Sequence, residues 1–277
     1  ALTIAPATLL GNDTDIDSGT TLTITSVQGA VNGSVALVGG NVVFTPAANY
    51  NGPASFTYTV SDGNGGTSTA TVTVNVAAVN DAPVAQAASF TVAEDAAVVN
   101  GAVTATDVDA GATLTFALNG AAPAGLTFNS NGTYSFNPAN AAYQSLGVNQ
   151  QTVLTVPYTV TDNAGATSTA NLVITITGTN DAPVANANTV AATEDNALTI
   201  APATLLGNDT DIDNGTTLSI TSVQGAVNGS VALVGGNVVF TPAANYNGPA
   251  SFTYTVSDGN GGASTATVTV NVAAVND

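Results

Sequence analysis

The acidic side chains of this sequence fall into a few short motifs that recur along the chain. There are 18 Asp and Glu residues and no Lys, Arg or His, so the formal net charge is −18. Grouped carboxylates without a cationic side chain repel one another unless another positive partner binds between them. A hard divalent cation with oxygen ligands is the natural partner, and Ca²⁺ fits best. The motifs therefore predict calcium binding.

The positions of the motifs follow an internal repeat. Residues 1–81 match residues 197–277 at a constant offset and differ only at Ser18/Asn214, Thr23/Ser219 and Thr67/Ala263, so 78 of 81 positions are identical. The sequence between these two copies has diverged, but the same Asn-Asp-Ala-Pro motif occurs at both of its ends, at residues 80–83 and 180–183. We expect three domains: residues 1–81, a repeat lacking its first strand; residues 82–181; and residues 182–277, nearly identical to the first.

Four kinds of acidic motif recur in these repeats. They are Asn-Asp before Ala-Pro, Glu-Asp, an Asp-x-Asp cluster, and a lone Asp before a Gly-rich turn. For the junction between the second and third repeats the predicted ligands are Glu94, Asp95, Asn180, Asp181, Asp209, Asp211, Asp213 and Asp258. For the junction between the first and second they are Asn80, Asp81, Asp107, Asp109 and Asp162, and the corresponding acids of the first repeat are Asp15, Asp17 and Asp62. A last Asn-Asp motif ends at Asp277.

Composition excludes several classes of function. A chain without Lys or Arg is unsuited to nucleic acid or to an anionic membrane surface, because contacts with phosphate need those residues. The absence of Cys removes disulfides and thiolate metal sites. No nucleophile can be paired with His or Lys, so we expect no enzyme. A glycosidase that uses two carboxylates is the remaining catalytic alternative, and the repeated motifs explain the same carboxylates better.

Each repeat reads as β-structure throughout. Residues 56–60 and 70–76 alternate apolar and polar side chains, as do residues 156–160 and 172–176 of the middle repeat. The pairs Gly39-Gly40 and Asn131-Gly132 predict tight hairpins. With about seven short strands per repeat, the pattern is typical of a Greek-key β-sandwich, and the only helical turn is expected between Ala139 and Leu146.

Such a sandwich places the acidic motifs at its two ends. The loops that carry the Asp-x-Asp cluster and the lone Asp meet at the upper end, while Glu-Asp lies at the lower end and Asn-Asp forms the linker. Lower-end, linker and upper-end motifs all occur together between the second and third repeats. The first repeat has no counterpart of Glu194-Asp195, so we expect a weaker site at its junction with the second.

Three of these segments resemble the interdomain calcium motifs of cadherins. They are residues 105–111 (ATDVDAG), 159–165 (TVTDNAG) and 179–183 (TNDAP). The middle repeat is similar to the VCBS repeat, and the outer repeats are similar to the bacterial cadherin-like tandem repeats of giant surface adhesins. Cadherins carry a further acidic motif at the lower end, where this chain has Phe136-Asn137-Pro138. That departure implies fewer ions or weaker binding.

The resemblance implies an all-β chain of tandem Ig-like, cadherin-like sandwiches arranged as an extended rod. It implies Ca²⁺ at the linkers and a role as an extender in an RTX-type adhesin on the bacterial cell surface, serving cell adhesion or biofilm formation. The expected partners are neighbouring repeats of the same chain, with surface glycans or other cells as the adhesive target. The alternative function is a carbohydrate-binding module, for which Tyr143 and Tyr246 are the candidate exposed aromatics.

Overall fold

The computed structural model describes residues 1–276, so Asp277 lies outside the described residues. Strands account for 52% of the chain and helices for 4%, which confirms the all-β prediction. The chain forms two compact units. One contains residues 1–83 with the segments 106–114 and 161–167, and the other contains residues 84–105, 115–160 and 168–276.

The first repeat forms two three-stranded sheets in the orders β1-β4-β3 and β2-β5-β6. Its core is centred on the stacked rings of Phe44 and Phe56, whose centroids are 5.8 Å apart. Its elements are β1 (Leu2–Ile4), α1 (Pro6–Leu9), a 3₁₀ turn (Leu10–Asn12), β2 (Thr23–Val31), β3 (Gly33–Val38), β4 (Asn41–Pro46), β5 (Gly52–Ser61) and β6 (Thr67–Val76).

The middle repeat breaks its first strands into short pieces. Its elements are β7 (Val84–Ala85), β8 (Ala88–Ala93), β9 (Val99–Ala102), β10 (Ala105–Thr106), β11 (Thr115–Leu118), β12 (Leu126–Phe128), β13 (Thr133–Phe136), β14 (Gln151–Thr161) and β15 (Thr167–Thr177). They pair in the orders β11-β14-β15-β8, β12-β13-β9 and β10-β7. Apolar residues of β14 and β15 alternate into the core, as the period-two pattern predicted.

The third repeat has the strand that the first repeat lacks. Its elements are β16 (Asn188–Thr193), β17 (Leu198–Ile200), α2 (Pro202–Leu206), β18 (Ser219–Val227), β19 (Gly229–Val234), β20 (Asn237–Pro242), β21 (Gly248–Ser257) and β22 (Ala263–Ala273). The sheets have the orders β16-β22-β21-β18 and β17-β20-β19. Strand β16 runs parallel to β22 along its outer edge.

The predicted hairpins are confirmed, and the predicted helical turn is wrong. Residues 126–128 pair with 134–136, and residues 35–38 pair with 41–44. Residues 139–146 form hydrogen-bonded turns instead of a helix, and the helices lie at α1 and α2. Both begin with Pro at the first helical turn, where its fixed φ fits and its missing N–H is no loss.

Candidate metal centre

The upper-end loops of the third repeat use one oxygen of each aspartate to fold their own turn. The backbone N–H of Asp213 donates to Asp211 Oδ1 at 2.8 Å. The N–H groups of Asn260 and Gly262 donate to Asp258 Oδ1 at 2.7 and 3.0 Å. Turns of this kind are common for Asp, and they leave the second carboxylate oxygen of each residue available for another partner.

The linker between the second and third repeats lies against both of these loops. Asn180 Nδ2 donates to Asp258 Oδ2 at 2.7 Å, and the N–H of Asp181 donates to Asp213 Oδ2 at 3.0 Å. A methyl group at Gly262 would come within 2.9 Å of Ala182 Cα and 3.0 Å of Asn180 Nδ2. The glycine therefore allows the linker to approach the loop this closely.

The lower end of the middle repeat contacts the same linker through Thr179. Its N–H donates to Glu94 Oε1 at 2.8 Å, and its hydroxyl donates to Asp95 Oδ2 at 2.6 Å. Glu94 is completely buried. The sequence analysis assigned no role to Thr179. This residue begins the Thr-Asn-Asp-Ala-Pro motif, and its hydroxyl group is the only feature that could have indicated one.

These contacts bring acidic oxygens from the lower end, the linker and the upper end together. Ligand atoms of Glu94, Asp181 and Asp213 lie within 4.8 Å of one another. Several buried oxygens around them accept no hydrogen bond from the described residues, which is costly for a carboxylate. They are Glu94 Oε2, Asn180 Oδ1, Asp181 Oδ2, Asp211 Oδ2 and Asp213 Oδ1.

The electrostatics of this cluster disfavour its own negative charges. Burial raises the pKa of Glu94, with the charges of Asp95 and Asp181 adding to the effect. Burial, followed by the charges of Asp95, Asp213 and Asp211, raises the pKa of Asp181. Without a cation, desolvation and mutual repulsion therefore both destabilise the ionised carboxylates of this site.

A direct contact between repeats borders the cluster. The N–H of Asn214 donates to the carbonyl of Ser145 at 3.0 Å, and Gln150 Nε2 donates to the carbonyl of Asn214 at 3.0 Å. Beneath this contact, a methyl group at Gly178 would lie 2.1 Å from the Leu146 carbonyl oxygen. The glycine lets the turns at residues 140–150 close over the start of the linker, which no sequence motif had indicated.

The junction between the first and second repeats has the same linker contacts. Asn80 Nδ2 donates to Asp162 Oδ2 at 2.7 Å, and the N–H of Asp81 donates to Asp109 Oδ2 at 2.8 Å. The hydrogen bond from Asn80 lowers the pKa of Asp162, helped by backbone donors of its own turn. Among the described residues, Asp107 Oδ2 is the one buried oxygen without a donor here.

The upper end of the first repeat has the same turns. The N–H of Asp17 donates to Asp15 Oδ1 at 2.7 Å, and the N–H of Gly66 donates to Asp62 Oδ1 at 2.9 Å. Asp15 and Asp17 are exposed, and Asp15 and Asp62 line an open cavity of about 420 Å³. The upper-end loops of the first and third repeats therefore fold through the same local hydrogen bonds.

Asp209 is placed differently from the other predicted ligands. Its carboxylate accepts hydrogen bonds from the Tyr254 hydroxyl at 2.9 and 3.0 Å and from the Asn186 N–H at 2.7 Å. Asp13 accepts a similar bond from Tyr58 at 2.8 Å in the first repeat. The first acid of each outer Asp-x-Asp-x-Asp run therefore anchors a core tyrosine, and the structure does not bring Asp209 to the cluster.

The aromatics of the carbohydrate-binding alternative are not exposed. Tyr143 is buried against Phe136 and donates its hydroxyl to the Ala124 carbonyl at 2.7 Å, which contradicts the prediction that it lies on the surface. Tyr246 packs against the core of the third repeat and donates to the Pro249 carbonyl at 2.7 Å. None of the seven Tyr and eight Phe residues is classed as exposed. The described residues therefore present no fully exposed aromatic ring.

Similarity to known families agrees with the arrangement of linker and acidic loops. A family model described as a cadherin-like domain matches residues 1–77 and 179–273, which is more than half of the chain. The chain belongs to the cadherin-like family. A model described as a bacterial cadherin-like domain matches residues 80–178. Cadherin-like domains are typically extracellular, calcium-binding adhesion or extender repeats.

Solved cadherin structures share the fold at low sequence identity. The chain is similar to mouse cadherin-23 EC22–24, with a TM-score of 0.58 and 22% identity over 94% of this chain and 89% of that one. Mouse protocadherin-24 EC1–3 gives a TM-score of 0.53 and 17% identity over 93% and 92%. Protocadherin gamma B2 domains 1–5 give 0.56 and 16% over 92% and 53%. No curated protein sequence matches significantly.

Residues 1–276 contain no helix with the length and apolar character required to cross a membrane.

Proposed function

We propose that this chain is a three-repeat extender segment of a long bacterial surface adhesin of the VCBS and RTX type. Its repeats are residues 1–81, 82–181 and 182–277, and each linker binds Ca²⁺. Metal binding stiffens the linkers, so that tandem repeats form an extended rod that carries an adhesive end away from the cell. The partners of each repeat are its neighbours in the same chain, and the distant target is another cell or a surface.

The observation that carries this proposal is the set of buried oxygens around Asp181 that accept no hydrogen bond. Ca²⁺ takes about 6–8 oxygen ligands and tolerates irregular geometry. Five unpaired oxygens from four acidic residues and Asn180 supply most of that number, and backbone carbonyls or water supply the rest. The chain has no Lys, Arg or His that could neutralise these carboxylates. The donor set therefore fits Ca²⁺.

Each residue at the second junction has a role in this arrangement. Glu94, Asp181, Asp211 and Asp213 hold the ion, with Asp95 beside them. Asp258 positions the linker through Asn180 and carries a lowered pKa: burial opposes this, but donors from Asn180 and its own turn outweigh burial. Bound calcium supplies the positive charge that offsets the mutual repulsion of these carboxylates.

The first junction and the upper end of the first repeat follow the same scheme. Asp81, Asp107 and Asp109 would hold the ion there, with Asn80 and Asp162 positioning the linker. Asp15, Asp17 and Asp62 form the corresponding half-site at the upper end of the first repeat. Each half-site is incomplete by itself, so metal affinity depends on the neighbouring repeat.

The mechanical consequence follows from where the ligands come from. Domains joined by a small interface move relative to one another unless something ties them. At the second junction the ligands belong to a lower end, a linker and an upper end, so one bound ion connects three segments. In chelator, the same carboxylates repel across the linker. The function is therefore structural, and the proposal assigns no catalytic role to any residue.

Calorimetry and thermal unfolding in calcium test the proposal. Calcium should bind with measurable heat and raise the melting temperature, because it binds the folded state. Asp181→Asn should abolish the tighter binding event. Asp195→Asn removes one equal charge from the lower end of the third repeat, away from the second junction, and should leave that event unchanged. Absence of both calcium heat and a melting shift in the unmodified chain would overturn the proposal.

A further inference from the structure

The loop that leads into β14 of the middle repeat is longer than the matching loop of the third repeat. In the sequence, Tyr158 lies 22 positions after Phe136, whereas Tyr254 lies 14 positions after Phe240. Each Phe lies in the strand before the loop, and each Tyr lies in the strand after it. The middle repeat therefore has eight additional residues in its loop at 139–150, the inserted loop.

The inserted loop is fixed to the body of the middle repeat. Tyr143 is buried and donates its hydroxyl to the Ala124 carbonyl at 2.7 Å. Two turns shape the loop: the Tyr143 N–H donates to the Asn140 carbonyl, and the Gln150 N–H donates to the Gly147 carbonyl, each at 2.9 Å. Because the loop is ordered by these contacts, further contacts at its far end cost little additional ordering.

The backbone of Gln150 contacts the start of the linker. Its carbonyl accepts a hydrogen bond from the Gly178 N–H at 2.9 Å. The next linker residue is Thr179, whose N–H donates to Glu94 Oε1 at 2.8 Å. Gln150 therefore supports the linker segment that holds the buried carboxylate of Glu94.

The side chain of Gln150 reaches the upper end of the third repeat. Its Nε2 donates to the Asn214 carbonyl at 3.0 Å, beside the bond from the Asn214 N–H to the Ser145 carbonyl at 3.0 Å. A methyl group at Gly147 would lie 3.5 Å from both the Asn214 carbonyl oxygen and Asp213 Cβ. The inserted loop thus lies directly against the turn that carries Asp213.

One residue therefore contacts both sides of the candidate metal centre. Ligand atoms of Glu94, Asp181 and Asp213 lie within 4.8 Å of one another, although Glu94 and Asp213 belong to different repeats. Gln150 and Asn214 are exposed, and water competes for exposed donors and acceptors, so their hydrogen bond contributes little by itself. It can still raise the fraction of molecules in which both sides of the site are in place, which raises the apparent affinity for a ligand.

We infer that Gln150 is a positioning residue for calcium at the second junction and that the inserted loop is the element that supports it. Its two hydrogen bonds hold Glu94 and Asp213 at a separation that one ion can bridge. The first repeat has only 14 positions from Phe44 to Tyr58, so this support belongs to the second junction. The inference rests on the proposed function, since it concerns the affinity of that site.

Calorimetry of Gln150 variants with calcium tests the positioning role. Gln150→Ala should weaken the tighter binding event by about 5-fold, the effect of one net hydrogen bond. Gln150→Met keeps the length of the side chain and removes the donor, so it should lose as much. Neither variant should change the melting temperature in chelator, because the side chain is exposed.

Gln224→Ala is the matched control. Gln224 is also exposed, and its Nε2 donates to Thr255 Oγ1 at 3.3 Å within the third repeat. This variant should bind calcium as the unmodified chain does. Normal calcium binding by either Gln150 variant, an equal loss in Gln224→Ala, or a lower melting temperature of Gln150→Ala in chelator would overturn the positioning role.

Hydrogen exchange of the Asn214 amide reports the contact itself. In calcium this N–H should exchange slowly in the unmodified chain and faster in Gln150→Ala. Calcium heat in the unmodified chain with no protection of the Asn214 amide would overturn the positioning role and leave the proposed function standing. Absence of calcium heat in the unmodified chain would overturn both, whatever the amide shows.

Discussion

The first and third repeats differ at three of 81 aligned positions, yet they differ in core burial and in the sites they complete. The third repeat has β16 and a large buried core, in which Val268, Val270 and Leu205 are completely buried. The first repeat has the same residues at an open edge, and its fully buried core shrinks to a few residues around Phe44 and Phe56. One short strand therefore decides how far an almost invariant sequence is buried.

The two junctions show the same dependence at the level of ligands. The second junction has five buried oxygens without donors, contributed in part by Glu94, which follows directly on β8. The first junction has the same linker contacts but no acidic pair from the first repeat. The Asp-x-Asp turn of the upper end has the same hydrogen bond in all three repeats. The two junctions therefore differ in the ligands that the lower end of the preceding repeat contributes.

Replacing one ligand at each junction gives the largest expected effect. Asp213→Asn should weaken calcium binding at the second junction by about 100-fold, or about 2.7 kcal/mol, because it removes a charge from a buried cluster. Asp109→Asn, its counterpart at the first junction, should have a smaller effect on a site that is weaker from the start. Calorimetry measures both. Equal starting affinities at the two junctions would contradict the comparison.

Truncating one valine in each repeat measures what β16 contributes to the core. Val270→Ala should cost about 2 kcal/mol, because it removes fully buried methyl groups. Val74→Ala at the matching position should cost about 1 kcal/mol or less. Hydrogen exchange during mild denaturation resolves the repeats through the fragments that contain Thr67 or Ala263. Equal costs would show that β16 does not explain the difference in burial.

Adding a methyl group to one turn tests how closely the linker must approach. Gly262→Ala should weaken calcium binding at the second junction by about tenfold, or about 1.4 kcal/mol, since the methyl group would displace Asp258 Oδ2 as well as Asn180 and Ala182 of the linker. Gly66→Ala introduces the same methyl group at the matching turn of the first repeat, where the three nearest atoms all belong to Asp62. This control should leave the second junction unchanged. If both variants bind calcium equally well, close approach of the linker is not required.

Acidification should have the smallest effect, with opposite signs in chelator and in calcium. The pKa values of Glu94 and Asp181 are raised in the folded chain. The folded state therefore binds protons more readily than the unfolded state, and the metal-free chain should gain stability as pH falls from about 7 towards 5. In calcium the protons compete with the cation, so affinity should fall over the same range. Thermal unfolding in chelator that shows lower stability at about pH 5.5 would contradict these shifts.

The sequence predicted the strands and hairpins because their signals are local. Alternating apolar residues in 156–160 and glycine turns such as Gly39-Gly40 depend on neighbours in the chain. Helix α2 was missed, although Pro202 at its first turn is a known start signal. Ala201 before it offers no side-chain cap, which weakens that signal.

The acidic motifs were recognised as a group, but their individual roles were not separable from sequence. Asp209 bonds to Tyr254, which is 45 residues away, and nothing local distinguishes it from Asp211. Tyr143 was expected at the surface, but Phe136 and the Ala124 carbonyl hold it inside. Thr179 and Gln150 act through hydrogen bonds to residues that only the folded chain brings close to them. A short motif does not predict the role of a residue when that role depends on a partner far away in the sequence.

The central claim is that calcium fixes the second junction, and a distance measurement tests it most directly. The chain has no Cys, so Ala117→Cys and Ala232→Cys, both exposed, would place one spin label on each side of the junction. Pulsed electron paramagnetic resonance should give a narrow distance distribution in calcium and a broad one in chelator. Adding Asp181→Asn should keep the distribution broad in calcium while circular dichroism is unchanged. Distributions of equal width for the unmodified junction with and without calcium would contradict the account.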